Sequence, residues 1–212
     1  MSPNPGTPGT SRGAVAFMKA EAARMKASDG MSPAVSIPIS VACTLLLVLL
    51  MQQTILLYQM PAMALSLVFG ALVSIKDLKQ RRVPDAYTLP WTAGLLAALA
   101  MVIVIVPQGW SIAGQTLALT GVHVGFYGLL LLGKATSMGD LKLSLPLGLL
   151  LAPLGLGPMI WAVALAGITG LIHGLVLKRQ GQSSYPAAPH MVVAALLVST
   201  LAILAELSQV LL

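Results

Sequence analysis

The sequence predicts an all-α fold: a polytopic transmembrane bundle of about seven helices, with six as the alternative count and the N-terminus on the cytoplasmic side. Three observations predict it. Of 212 residues, 57% are hydrophobic and only 8% charged, against about 25% charged in an ordinary soluble domain. The charges leave long neutral stretches at 30–75, 86–133 and 143–177, and beyond Arg179 only Glu206 is charged. Finally, the basic residues fall where one side of a membrane is expected.

Taken in order, the chain opens with a tail. Met1–Thr10 is rich in Pro, Gly, Ser and Thr, a composition that cannot build a core. Residues 14–27 could form an amphipathic helix on the membrane surface, with Val15, Met18, Ala22 and Met25 on one side. A solvated tail that supplies positive charge accounts for the same residues. The domain reading is a cytoplasmic tail, disordered to interfacial helix, at 1–33, an additional N-terminal transmembrane helix at 34–60, and the main membrane domain at 61–212. No cleavable signal peptide is expected, because the positive region is long and the apolar run after it is a full span.

A spanning helix needs roughly 20 apolar residues. The first two neutral stretches each hold two spans, the third holds two short ones, and the last holds one. Gln59-Met60-Pro61, Pro107-Gln108-Gly109 and Pro153–Pro158 supply the hairpin tips, since Pro and Gly punctuate helices. The expected spans are 37–58, 61–75, 89–106, 112–133, 142–155, 158–177 and 190–211. The second and fifth are short for full crossings.

With seven spans and an internal N-terminus, the internal segments are 1–36, 76–88, 134–141 and 178–189. They carry every basic residue, together with Lys142 at a helix start: Arg12, Lys19, Arg24, Lys26, Lys76, Lys79, Arg81, Arg82, Lys134, Lys178 and Arg179. That is the positive-inside pattern. It explains a net charge of +6 without nucleic acid. The lipid bilayer is the partner this composition implies. The single cysteine, Cys43, excludes an intramolecular disulfide and any multi-cysteine zinc site. No metal ligand set and no cofactor motif is found.

An ionisable group near hydrocarbon needs a reason. Outside the tail the carboxylates are Asp77, Asp85, Asp140 and Glu206. The topology puts Asp77 and Asp140 at one depth on one face. Two such carboxylates can share a proton and polarise a water. Asp77 could equally neutralise its basic neighbours, and Asp140 could simply begin a helix. Asp85, after Pro84, reads as a helix N-cap. His123, deep in the fourth span, is expected to bond a neighbouring helix. His173 nears a helix C-terminus and His190 begins the last span. Gly121/Gly125 and Gly170/Gly174 are small-x-x-x-small pairs, read as helix packing. Lys79, Arg81 and Arg82 read as lipid-facing and topological.

The run from Asp77 to Thr88 resembles the D-x-x-x-R-x-I-P-N pattern of the type IV prepilin peptidases. Met138-Gly139-Asp140-Leu141-Lys142-Leu143 is similar to the second half of that family's G-x-G-D-x-K-L motif. Tyr185-Pro186-Ala187-Ala188-Pro189-His190 resembles the P-x-x-P segment that opens its last span. The resemblance covers roughly 61–212. It implies an aspartic-type endopeptidase of the bacterial inner membrane, with Asp77 and Asp140 catalytic and Gly139 and Lys142 supporting. It implies no metal. The implied substrate is a prepilin or pseudopilin with a short basic leader, a cleavage point after Gly, and then an apolar helix. Pilus or secretion assembly components are the further partners. Bifunctional members carry a large loop with paired C-x-x-C ligands and also methylate the new N-terminus. This chain resembles the short, peptidase-only members, such as those serving Flp-type tight-adherence pili. Ser137 stands where the pattern has its first Gly, and Asp85 where it has Asn. The alternative reading is a non-catalytic membrane subunit of a pilus or secretion assembly with the same fold.

Overall fold

The computed structural model describes residues 33–50, 56–181 and 185–211. The tail, with its candidate surface helix, lies outside the described residues. Among the described residues every element is helical: α1 (Pro33–Leu50), α2 (Leu56–Gln80), α3 (Asp85–Ile105), α4 (Gly109–Leu132), α5 (Met138–Leu151), a 3-10 turn (Ala152–Leu154), α6 (Leu156–Arg179) and α7 (Ala188–Leu211). Five of these helices, α2, α3, α4, α6 and α7, are long and apolar enough to cross a bilayer. The chain is a multi-pass membrane protein. α1 has 18 residues and α5 only 14; they stand where the first and fifth spans are expected.

The turn at Pro107–Gly109 and the break at Pro153–Gly155 fall where Pro and Gly place them. Gly155 takes φ 93°, a left-handed conformation that favours glycine. The first expected tip does not. Gln59-Met60-Pro61 lies inside α2, which runs unbroken from Leu56. Pro61 sits in the second turn, where it removes one intrahelical bond. Its ring is fully buried, so packing offsets that loss. The helix expected at 61–75 is therefore 25 residues long, not short.

α1 packs mainly on α3, α6 on α7, and α4 on α5, while α2 lies against α3 and α7. Trp91, Leu95, Leu143, Leu147 and Leu150 are fully buried at the centre. Lipid offers buried polar groups no hydrogen bonds, and several find partners inside the bundle. The Trp91 indole donates to Ser66 Oγ at 3.1 Å, the Tyr58 hydroxyl to the Leu149 carbonyl at 2.7 Å, and Ser40 Oγ to the Pro90 carbonyl at 2.5 Å. The α1–α3 contact closes over Gly94, where a Cβ would collide with Ser40 Oγ. α4 and α6 leave Leu117, Val122, Phe126 and Leu129, and Ile168, Leu171, Ile172 and Leu175, on the outside. So extensive an apolar exterior belongs in a membrane.

Gly121 and Gly125 do not pack. A Cβ at either would meet nothing, because α4 buries the face of Ala113, Thr116, Thr120, His123 and Tyr127 instead. Gly170 and Gly174 do have a neighbour, but it is the Tyr185 ring from the segment before α7. Cβ atoms at these positions would lie 3.3 and 3.5 Å from that ring.

Gly94→Leu should break the α1–α3 contact. Overpacking of this kind costs about 1–3 kcal/mol. Thermal unfolding of the detergent-solubilised protein should show a lower midpoint, and an unchanged midpoint would mean that α1 can move away freely.

Candidate active site

α2 delivers Asp77 on its last turn. Arg81 ends that helix in a left-handed conformation, φ 54°, with its N–H donating to the Asp77 carbonyl at 2.8 Å. A residue at this position closes the helix and turns the chain away. The Asp77 side chain is only 6% exposed. Its Oδ2 accepts from the Ala188 amide at 3.0 Å. Ala188 is the first residue of α7, so Asp77 sits on a helix N-terminus, where backbone amides lack intrahelical partners.

Asp140 is in the first turn of α5 and 8% exposed. Ser137 caps that helix. Its Oγ accepts from the Asp140 amide at 3.3 Å, while the Asp140 Oδ2 accepts from the Ser137 amide at 2.9 Å, making a reciprocal capping box. Ser137 Oγ lies 2.9 Å and Thr136 Oγ1 2.7 Å from the same Oδ2, both placed to donate. Ser137 has φ −101° and ψ 163°, ordinary extended backbone that needs no glycine.

The fold brings Asp77 and Asp140 together from residues 63 positions apart in sequence, within reach of each other's charge. Arg81 also acts on Asp77 electrostatically, a neighbour not expected of a lipid-facing residue. Gly139 is where the α5 start meets the linker after α2. A Cβ there would lie 3.1 Å from Val83 Cγ2, tighter than a side chain normally allows.

Lys142 Nζ bonds Asp85 Oδ1 at 2.7 Å. Asp85 is thus not a cap. Pro84 occupies the N-cap position of α3, and no side chain caps it. Asp85 is instead the first helical residue, and its carboxylate ties the start of α3 to the first turn of α5. Both partners are partly exposed, so the pair is worth about 0–1 kcal/mol.

Several features near the carboxylates were not visible in the sequence. Thr136 is one, although a hydroxyl four residues before an acid at a helix start is a recognisable signal. Tyr185, seated on Gly170 and Gly174, is another. Burial, and then the Asp140 charge, push its phenol up from the ordinary value, so it stays a neutral donor. His173 Nδ1 and His190 Nε2 lie 2.8 Å apart, a pairing that a 17-residue separation hides. His123 departs from expectation. Its Nε2 is buried without a hydrogen-bond partner among the described residues, and the ring packs on Tyr127 with centroids 5.2 Å apart. Among the described residues no three His, Cys, Asp or Glu side chains converge as a metal site.

The sequence model of the type IV leader peptidase family matches residues 64–175. The chain belongs to this family. No curated protein and no solved structure matches the chain. The matched region runs from α2 into α6 and includes both aspartates, so a prepilin-type leader peptidase function in general terms comes with membership. It stops short of α7, whose first amide holds Asp77.

Ser137→Ala removes the helix cap and one hydrogen bond to Asp140. It should lower stability by about 1 kcal/mol and slow leader removal, whereas Ser137→Thr should retain most of both. Detergent unfolding and a gel shift on a leader-bearing substrate measure the two effects. Equal rates for the Ala variant and the parent would show that the cap does not serve the site.

Proposed function

We propose that this protein is an aspartic-type endopeptidase of the bacterial inner membrane. It removes the short basic leader from a prepilin or pseudopilin at the cytoplasmic boundary, without methylating the product. Asp77 and Asp140 form the catalytic pair, and Gly139 and Lys142 support it, Gly139 by its smallness and Lys142 through Asp85. The observation that carries this reading is the pair itself: two buried carboxylates, each held at a helix N-terminus, within reach of each other's charge.

The chemistry follows from the pair. One carboxylate takes a proton from water as the oxygen adds to the scissile carbonyl carbon. The other, protonated, gives its proton to the amide nitrogen as the C–N bond breaks. The leader leaves with a carboxylate and the mature protein with a free amine. Hydrolysis by water needs one acid and one base, so the two carboxylates work as a unit with one proton between them. The substrate's apolar helix lies in the bilayer and its basic leader is drawn to anionic lipid.

Asp77→Asn or Asp140→Asn alone should eliminate most leader removal at equal membrane abundance. The double variant should lose little more, because the residues act as a unit. Asp85→Asn removes only a partly exposed ion pair and should change the rate little. The readout is a gel shift of a co-expressed prepilin, with protein levels checked by blot. Near-normal processing by either Asn variant would move the assignment to a non-catalytic subunit.

Reporter fusions test the sidedness. Those at Gln80, Ser137 and Gln182 should report inside, and one at Gln108 outside. An outside report at Ser137 would put the two aspartates on opposite faces and end the reading.

A further inference from the structure

The segment that enters α7 is anchored at both ends to α6. At one end the Tyr185 ring rests on Gly170 and Gly174, where a Cβ at Gly170 would press against it and one at Gly174 would just touch it. At the other, His190 Nε2 meets His173 Nδ1 at 2.8 Å, with ring centroids 5.0 Å apart and planes tilted by 59°. Between the anchors lies Ala188, whose amide donates to the Asp77 carboxylate at 3.0 Å. A bond at a helix start fixes the direction of the first amides, and a shift of 1 Å there is enough to lose a hydrogen bond.

We propose that His173 and His190 are a positioning pair for Asp77, whose imidazole–imidazole hydrogen bond clamps the first turn of α7 so that the Ala188 amide stays on the carboxylate. The proposal rests on the reading of Asp77 as catalytic. It assigns the histidines no contact with substrate.

The clamp has a built-in dependence on protons. With both rings neutral, one donates and the other accepts. With one proton added the bond persists and is charge-assisted. With a second proton every ring nitrogen is a donor, no acceptor remains, and two cations face each other. The clamp is therefore present while at least one of the two rings is neutral and is lost once both are protonated. Of the other charged and titratable groups, the Tyr185 ring lies 6.3 Å from His190 and feels the Asp140 charge, Asp77 holds the Ala188 amide two residues before His190, and Lys178 and Arg179 follow His173 in the last turn of α6.

The test uses the full chain in membranes and a synthetic substrate with a basic leader, a Gly and an apolar run of about 20 residues. His173→Leu and His190→Leu should each lower kcat about tenfold at unchanged KM. The double variant should fall no further, because one bond is lost in all three. His190→Gln keeps a hydrogen-bonding group that cannot titrate; it should retain most of the rate and lose the acid limb of the pH profile. Wild-type kcat in the leucine variants, losses that multiply in the double variant, or an unchanged acid limb in His190→Gln would each overturn the clamp. If the leucine variants fail to accumulate, the His190→Gln profile decides alone. Asp77→Asn run alongside separates the two readings. An inactive Asp77→Asn beside unaffected histidine variants sinks only the clamp, whereas an active Asp77→Asn sinks the catalytic assignment beneath it.

Discussion

Backbone amides at two helix starts hold two carboxylates, and much of the bundle is arranged around that requirement. A carboxylate with so little exposure is costly unless donors surround it. Basic side chains would bring long, hydrated groups into a narrow space. A helix N-terminus brings unpaired N–H groups on a rigid frame. α5 supplies its own for Asp140, and α7 supplies its own for Asp77. Both starts must then lie beside the end of α2, at one depth. The left-handed turn at Arg81, the close approach of Val83 to Gly139 and the Asp85–Lys142 ion pair all act at that junction. None is strong alone. Together they join the segments after α2 and α4 into one platform.

The helices were legible in the sequence wherever a local signal decided them. Charge-free runs gave their number to within what length alone allows, and Pro153–Gly155 marked its turn because Gly155 needs a conformation few residues adopt. Where two physical outcomes share one signal, the sequence was ambiguous. A proline ends a helix or sits in its early turns, and Pro61 does the second because a buried pocket receives its ring. An acid after Pro84 caps a helix or pairs across space, and Asp85 does the second because Lys142 comes within reach. Small residues four apart pack or face lipid, and the stripe that α4 buries settles this for Gly121 and Gly125. The two aspartates could be found because their neighbours in sequence are distinctive. The donor to Asp77 could not, since Ala188 contributes only a backbone amide, which no residue type announces.

Ser137 shows how one site requirement can be met in two ways. The family pattern has glycine here, the smallest residue and the freest backbone. The extended backbone in this chain uses neither freedom. What it uses is a hydroxyl, which accepts from the Asp140 amide and lies within hydrogen-bonding distance of the Asp140 carboxylate. Serine is small enough to leave the tight contact at Gly139 undisturbed, and it adds an orienting group that glycine lacks. With Thr136, it gathers the donors on Oδ2.

The shortness of α5 sets a depth. Its 14 residues rise only about 21 Å, against a hydrocarbon core of about 30 Å. The chain therefore cannot place Asp140 at one surface and the Ala152–Gly155 turn at the other in an unperturbed bilayer. Either the lipid thins around this helix or one of its ends is drawn inward. The mismatch couples the depth of Asp140 to the thickness of its surroundings. Longer acyl chains would sink the carboxylates further from water, and shorter ones would lift them toward it, so the lipid itself becomes a setting on the enzyme.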